Sequence, residues 1–240
     1  MTSEPRSSPG DFRIRGPEVS RLEALSDGVF ALAMTLLIVS GQVPASFEEL
    51  KTVFRGFPAF AACFAILLWF WLVHNRFFRR YGLHDGTTVF LNSCLLFLVL
   101  FYVYPMKFVF GLFVASVTGL GAGASAIEYS QVDDLFMIYS SGFALVWAVF
   151  ALMFLHAYRR RDELELSPVE RLLTRAEIGR CLALILIALA SVLIAATAHG
   201  FWVTAAGWIY GLIGPMEGVH GWSVGRRRAR LAAGTPRSAA

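Results

Sequence analysis

Six apolar segments, each close to the roughly 20 residues that a helix needs to cross a bilayer, run through this chain of 240 residues. They cover residues 22–41, 57–75, 88–111, 135–157, 181–198 and 200–216. The segments are apolar throughout and do not alternate with a period of two, which disfavours a membrane β-barrel. Only 16% of the residues are charged, whereas about a quarter are charged in a soluble domain. The sequence therefore predicts an all-α integral membrane protein with six transmembrane helices.

The basic residues indicate how these helices are oriented. They lie in the N-terminal arm, in the links after the second and fourth spans and in the C-terminal tail, and only Lys51, Arg55 and Lys107 lie elsewhere. Because positively charged loops stay in the cytoplasm, both termini are predicted to be cytoplasmic. We predict a flexible arm at 1–18, a six-span domain at 19–218 and a disordered basic tail at 219–240. Arginine greatly outnumbers lysine and alanine is abundant, which is typical of a GC-rich bacterial genome. We therefore predict that the protein lies in the plasma membrane of a bacterium.

Two capping boxes predict additional helix starts. In such a box a serine side chain accepts a hydrogen bond from the backbone three residues later, and a glutamate at that position reaches back. Ser46-Phe47-Glu48-Glu49 predicts a small amphipathic helix on the outer side, after the first span. Ser167-Pro168-Val169-Glu170, with proline at the first helical position, predicts an inner helix that leads into the fifth span.

The first span contains a carboxylate, Asp27, that lies about 9 Å along the helix from Arg21. A membrane carboxylate is costly unless it has a partner or lines a wet cavity. Arg21 lies about 240° around the helix from it, so we expect partners on other spans. The candidates at the same depth are Ser26 of the same helix, His74, Asn75 or Arg76 of the second span and Asn92 of the third. This polar cluster is either a network that locks the helices together, which we favour, or a proton or ion site.

Other kinds of site find no support in the sequence. Cys63, Cys94 and Cys181 each lie in an apolar segment and have neither a disulfide pattern nor metal-ligand spacing. No P-loop, nucleophile–base pair or carbonyl-filter sequence of the TVGYG kind is present. We therefore predict no catalytic residues, no metal and no cofactor. The basic tail is expected to contact anionic membrane lipids rather than nucleic acid.

Three ordered motifs indicate a family. The first is Arg21-x-x-x-Leu25-Ser26-Asp27, followed by Thr35-Leu36-Leu37. The second is Trp71-Leu72-Val73-His74-Asn75-Arg76-Phe77, and the third is Leu91-Asn92 with later leucines and Pro105. Together they resemble the transmembrane-protein-175 family of potassium-permeable channels over residues 21–111. The chain differs from the family motif at Leu25, where the family has phenylalanine.

The resemblance implies a homotetramer with the first span of each subunit around a central pore. It implies that an apolar stripe on this span, Leu32, Leu36 and Val39, forms the constriction. It also implies that an inner polar network holds the pore helices; its members are Arg21, Ser26, Asp27, His74 and Asn92. Because a ring of leucines offers no ligand that replaces a hydration shell, such a constriction acts as a hydrophobic gate. We therefore expect a channel for K⁺ and other monovalent cations, weakly selective over Na⁺.

Acidic residues predict a further feature on the outer side. Glu128, Asp133 and Asp134 lie in the link before the fourth span, which has no Lys or Arg. Repeated around a tetramer, they predict a negative vestibule that concentrates cations; the alternative is an ordinary solvated loop. Two other functions remain open: a proton-coupled or proton-leak transporter that uses Asp27 and His74, and a non-conducting membrane scaffold or sensor.

Overall fold

The computed structural model describes residues 12–39, 44–118, 131–197 and 205–233, and all regular secondary structure in these ranges is helical. The helices are α1 (Arg21–Val39), α2 (Phe47–Arg55), α3 (Phe57–Tyr81), α4 (Gly86–Thr118), α5 (Val132–Arg159), α6 (Pro168–Thr197), α7 (Ala205–Trp208) and α8 (Ile213–Ala233). A 3₁₀ segment, Ile209–Leu212, joins α7 to α8. The predicted all-α fold is confirmed.

Four described helices are long and apolar enough to cross a membrane: α3, residues Gly86–Ala115 of α4, α5 and α6. They correspond to the second to fifth predicted spans, of which residue 198 lies outside the described ranges. The Ser167 capping box forms as expected, because Ser167 N donates to Glu170 and Glu170 N donates to Ser167 Oγ. However, the helix that it opens is continuous with the fifth span, so that both are parts of α6. The predicted outer helix is α2, and its cap is Ser46, which accepts from Glu49 N.

The end of the chain differs from the prediction. Instead of one span at 200–216, residues 205–216 are divided between α7, the 3₁₀ segment and the first turn of α8. Glycines at 207, 211 and 214 weaken a continuous helix, and Pro215 is accommodated in the first turn of α8, where its missing N–H is not needed. The predicted disordered tail is helical as far as Ala233, because alanine and arginine are strong helix formers. Residues 234–240 lie outside the described ranges.

Aromatic rings form the centre of the bundle. The ring of Phe70 on α3 packs against Tyr102 of α4 and against Phe143, Trp147 and Phe150 of α5. All five side chains are almost completely buried. Such large, rigid side chains bury much apolar area and hold neighbouring helices at fixed spacing. Helices α3 and α4 thereby form a firm support for α1, which packs on both of them.

The N-terminal arm is docked on the bundle where it is described, which corrects the predicted flexibility for residues 12–18. Arg15 N and Gly16 N donate to the carbonyl of Arg79 at 3.1 and 3.2 Å. The Arg15 guanidinium donates to both carboxylate oxygens of Glu170, at 2.8 and 2.9 Å. Gly82 has a φ of +58°, and a Cβ there would lie 2.8 Å from the Arg15 carbonyl oxygen. The arm therefore leads into α1 from a fixed position.

We expect Arg15→Lys to lower the free energy of unfolding by about 1 kcal/mol, because lysine keeps the charge but loses the two-pronged contact with Glu170. The measurement is the thermal unfolding midpoint of the purified protein. Arg79→Lys is the matched control, since the Arg79 side chain is exposed and only its backbone carbonyl contacts the arm. Equal midpoints for the two variants would show that the arm is not held by this ion pair.

Arginines and acidic residues pair at the end of the bundle where the arm docks. Glu177 of α6 accepts from Arg76, Arg80 and Arg180, and Arg160 pairs with Asp85 at 3.1 Å. Burial acts to raise the pKa of Asp85, but hydrogen bonds from Thr88 and His156 and the nearby positive charges outweigh it and hold that pKa below its usual value. The basic arm and the basic segments after the second and fourth predicted spans thus meet at one end.

Candidate functional site

Helix α1 presents one face to the rest of the chain. Its buried residues are spaced alternately three and four positions apart: Glu23, Ser26, Phe30, Ala33 and Leu37. This spacing is typical of a helix that packs along one side. A reciprocal capping box sets its first turn, because Ser20 N donates to Glu23 and Glu23 N donates to Ser20 Oγ. This box was not predicted, although the Ser20-x-x-Glu23 spacing is visible in the sequence.

Three of the predicted polar residues form a hydrogen-bonded chain across α1, α3 and α4. Asn92 Nδ2 donates to Ser26 Oγ at 2.9 Å, and Ser26 Oγ donates to the Leu22 carbonyl at 2.8 Å. His74 Nε2 lies 2.9 Å from Asn92 Oδ1; since an amide oxygen only accepts, Nε2 carries the proton. Ser26 and Asn92 have no exposed surface, and His74 is buried. These hydrogen bonds connect the N-terminal half of α1 to both α3 and α4.

Asp27 and Arg21 lie outside this chain of hydrogen bonds. Asp27 is half-buried and accepts from the indole Nε1 of Trp71 at 2.7 Å, so its partner is one helical turn before His74. Arg21 is exposed, and Arg76, one of the candidate partners, pairs with Glu177. Trp71 belongs to the second sequence motif, but its indole N–H was not predicted as the donor to Asp27.

The other face of α1 is not covered by any described part of the chain. Leu32 is 52% exposed and Leu25 is 61% exposed, and a Cβ added at Gly28 would meet no atom within 4 Å. Thr35 is exposed, and its hydroxyl donates to the Ala31 carbonyl at 2.8 Å. Leu36 is half-buried against the edge of the core.

Two of the predicted site residues lie partly or wholly outside the described part of the chain. Val39 ends α1, and its side chain is not among those described. Glu128 falls between the described ranges. Asp133, half-buried, and Asp134, exposed, lie in the first turn of α5, where negative charge favours the helix N-terminus. No group of three or more His, Cys, Asp or Glu side chains within the described ranges is close enough to hold a metal ion.

Comparison with known proteins identifies the family. The family model described as the endosomal/lysosomal potassium channel TMEM175 matches residues 21–102. A protein of Marivirga tractuosa named as a potassium channel is 34% identical over 239 residues. The match covers 92% of this chain and 94% of that protein. The chain belongs to the TMEM175 family. A second relative, a protein of Chamaesiphon minutus named as a potassium channel, is 35% identical over 96 residues, 37% of this chain and 47% of its own length.

A TMEM175 structure shows the same fold. The crystal structure of a variant of the potassium channel MtTMEM175, in complex with a nanobody fusion protein, is 32% identical and superimposes with a TM-score of 0.78. The match covers 90% of this chain and 97% of that one. The resemblance inferred from the three sequence motifs is thus confirmed. The TMEM175 family model spans α1, α2, α3 and the first half of α4. It therefore includes the hydrogen-bonded residues Ser26, His74 and Asn92 and the uncovered face of α1.

Proposed function

We propose that this chain is a channel of a bacterial plasma membrane that passes K⁺ and other monovalent cations down their gradients. Support comes from its family and from relatives that are named potassium channels and cover most of its length. The pore is lined by α1 of each of four identical subunits. The observation that carries this proposal is the two-sided character of α1, which buries one face on its own chain and leaves the other uncovered.

The composition of the uncovered face favours a pore over contact with lipid. A lipid-facing helix is covered by bulky apolar side chains, and polar intramembrane residues face the interior of the assembly. The uncovered face of α1 instead includes Arg21, Gly28 and Thr35 in addition to its leucines. Small residues also permit close approach of neighbouring helices.

The constriction consists of Leu32, Leu36 and Val39. These side chains carry no oxygen that replaces water around an ion, so that conduction depends on whether the collar is wide enough to stay wet. Selectivity for K⁺ over Na⁺ is consequently modest, and follows from the lower dehydration cost of K⁺. The hydrogen bonds among Ser26, Asn92 and His74 fix the rotation of α1. They thereby fix the direction in which the constriction side chains point.

In the proposed topology both termini are cytoplasmic. The chain crosses the membrane six times, with α1, α3, α4, α5, α6 and residues 205–216, the described part of the predicted sixth span. The meeting of Arg15, Arg76, Arg80 and Arg160 at one end of the bundle supports this orientation, because arginine-rich ends stay in the cytoplasm. The proton-relay alternative receives less support, because within the described residues Asp27 bonds to Trp71 while His74 bonds to Asn92.

The outer acidic residues give a testable electrostatic prediction. Neutralising Asp133 and Asp134 together to asparagine is expected to reduce single-channel K⁺ conductance about twofold at low salt and to leave it unchanged at high salt, where the charges are screened. The matched control is the pair Asp162→Asn and Glu163→Gln, two exposed acids at the arginine-rich end. A conductance at low salt equal to that of the wild type would contradict the vestibule.

The experiment that tests the function is ion flux from purified protein in lipid vesicles, with K⁺, Na⁺ and a large impermeant cation compared. We expect K⁺ flux above Na⁺ flux and none for the large cation. Folded, oligomeric protein that passes no ions would favour the scaffold alternative. Flux of protons alone, abolished by His74→Ala, would favour the transporter.

A further inference from the structure

The short helix α2 has an apolar face that nothing in the described chain covers. None of its residues is buried. Phe47, Leu50 and Phe54 are spaced three and four positions apart and share one side, and Phe47 and Phe54 are 70% and 67% exposed. After Gly56 the chain continues at once as α3, which is long and apolar enough to cross a membrane. Helix α2 therefore lies where a span leaves the bilayer.

An open cleft of about 570 Å³ lies between α2 and Pro58 at the start of α3. Its lining combines apolar side chains with two cations, Lys51 and Arg55. Lys51 Nζ is 2.8 Å from Glu48 Oε1 and 4.9 Å from the centre of the Phe47 ring. Arg55 has no ion-pair partner among the described residues. The cleft thus offers an available guanidinium at the edge of an apolar surface.

The apolar surface continues from α2 along α3. The rings of Phe57, Phe60 and Phe64 follow one another with centroids 6.2 Å apart at each step. Phe57 and Phe64 are both exposed, and the row extends about 10 Å along the helix, at about 1.5 Å per residue. A molecule that fits both the basic cleft and the row of rings has a negatively charged head and a long hydrocarbon tail.

We propose that this cleft binds one anionic phospholipid. Its phosphate contacts Arg55. Lys51 makes a second, weaker contact with the phosphate, because Lys51 is already paired with Glu48. Its acyl chain lies on Phe54 and then along the row of rings on α3. Guanidinium groups bind phosphate in a two-pronged geometry, and amphipathic helices at the membrane surface combine an apolar face with basic residues in this way. The site does not depend on ion conduction.

The test measures phosphatidylglycerol retained by the purified protein in native mass spectrometry, as detergent-solubilised protein is titrated with that lipid. We expect Arg55→Gln to weaken retention of the tightest-bound lipid about tenfold, because it removes one charge-assisted hydrogen bond to the phosphate. Glu48→Gln is the matched variant of opposite sign: it frees Lys51 and should strengthen retention. Phe54→Ser should weaken retention, whereas Phe54→Leu should preserve it. Inorganic phosphate should not compete with the lipid, because it lacks the tail.

Two results would overturn the proposal. One is equal retention by wild type, Arg55→Gln and Glu48→Gln. The other is unchanged lipid retention by Arg55→Gln together with dissociation of the oligomer, which would make the cleft a contact between copies. Because Arg55 is exposed, its replacement leaves folding intact, and an unchanged thermal unfolding midpoint verifies this.

Discussion

Replacing Leu32 by serine is expected to raise K⁺ flux into vesicles about tenfold, which corresponds to a barrier about 1.4 kcal/mol lower. Leu32 is the more exposed of the two proposed collar residues whose side chains are described. In a symmetric tetramer each substitution removes four isobutyl groups from the same level. The smaller, polar serine widens the collar and keeps it wet, and the dewetting that limits conduction is thereby reduced.

Leu186→Ser is the matched control for this experiment, because Leu186 is a leucine of α6 that is 66% exposed and is not expected to line the pore. It should leave K⁺ flux unchanged. Leu36→Ser should raise flux less than Leu32→Ser and should also reduce stability, since Leu36 packs against the edge of the core. If substitutions at both leucines leave flux unchanged in correctly assembled protein, the pore lies elsewhere.

The sequence predicts the long spans well because hydropathy is summed over many residues. Helices α3, α4, α5 and α6 stand out from their neighbours by length and apolar composition alone. The sixth segment, 200–216, is apolar like the others in the sequence, but its described part is divided into short helical pieces around the glycines at 207, 211 and 214. Its helical geometry depends on packing against α6, which composition does not report.

Within the polar site, depth could be predicted but rotation could not. The sequence places Ser26, His74 and Asn92 at similar depth, and the structure joins them. It also places Asp27 at this depth, but the partner that the rotation of α3 brings to it is Trp71. Hydropathy fixes how far along a helix a residue lies, whereas the direction of a side chain is fixed by the packing of the neighbouring helices.

The docked arm shows the same limit for contacts that are distant in sequence. Arg15 and Glu170 are 155 positions apart, and no local pattern connects them. From the sequence alone, Arg15 is only one of several positive charges near a membrane span. Only the folded bundle brings the start of α6 beside the end of α3 and so provides a binding place for the arm.

Replacing Asn92 by leucine is expected to lower the free energy of unfolding by about 2 kcal/mol, because it removes two hydrogen bonds and leaves the His74 N–H without an acceptor in a buried position. For a chain of this size that loss lowers the thermal unfolding midpoint by about 4–8 °C. Ser93→Ala is the matched control: Ser93 is the next residue, is exposed, and donates only to the Val89 carbonyl of its own helix. It should leave the midpoint unchanged.

A double-variant cycle separates this network from general packing. Ser26→Ala also removes a bond to Asn92, so that the double variant Ser26→Ala/Asn92→Leu should cost less than the two single variants added together. Strict additivity would mean that the two side chains are not coupled. We propose that the same hydrogen bonds fix the rotation of α1, so that Asn92→Leu should also shift the ratio of K⁺ to Na⁺ flux. If α1 were destabilised but correctly rotated, the amount of active protein would fall and that ratio would stay unchanged.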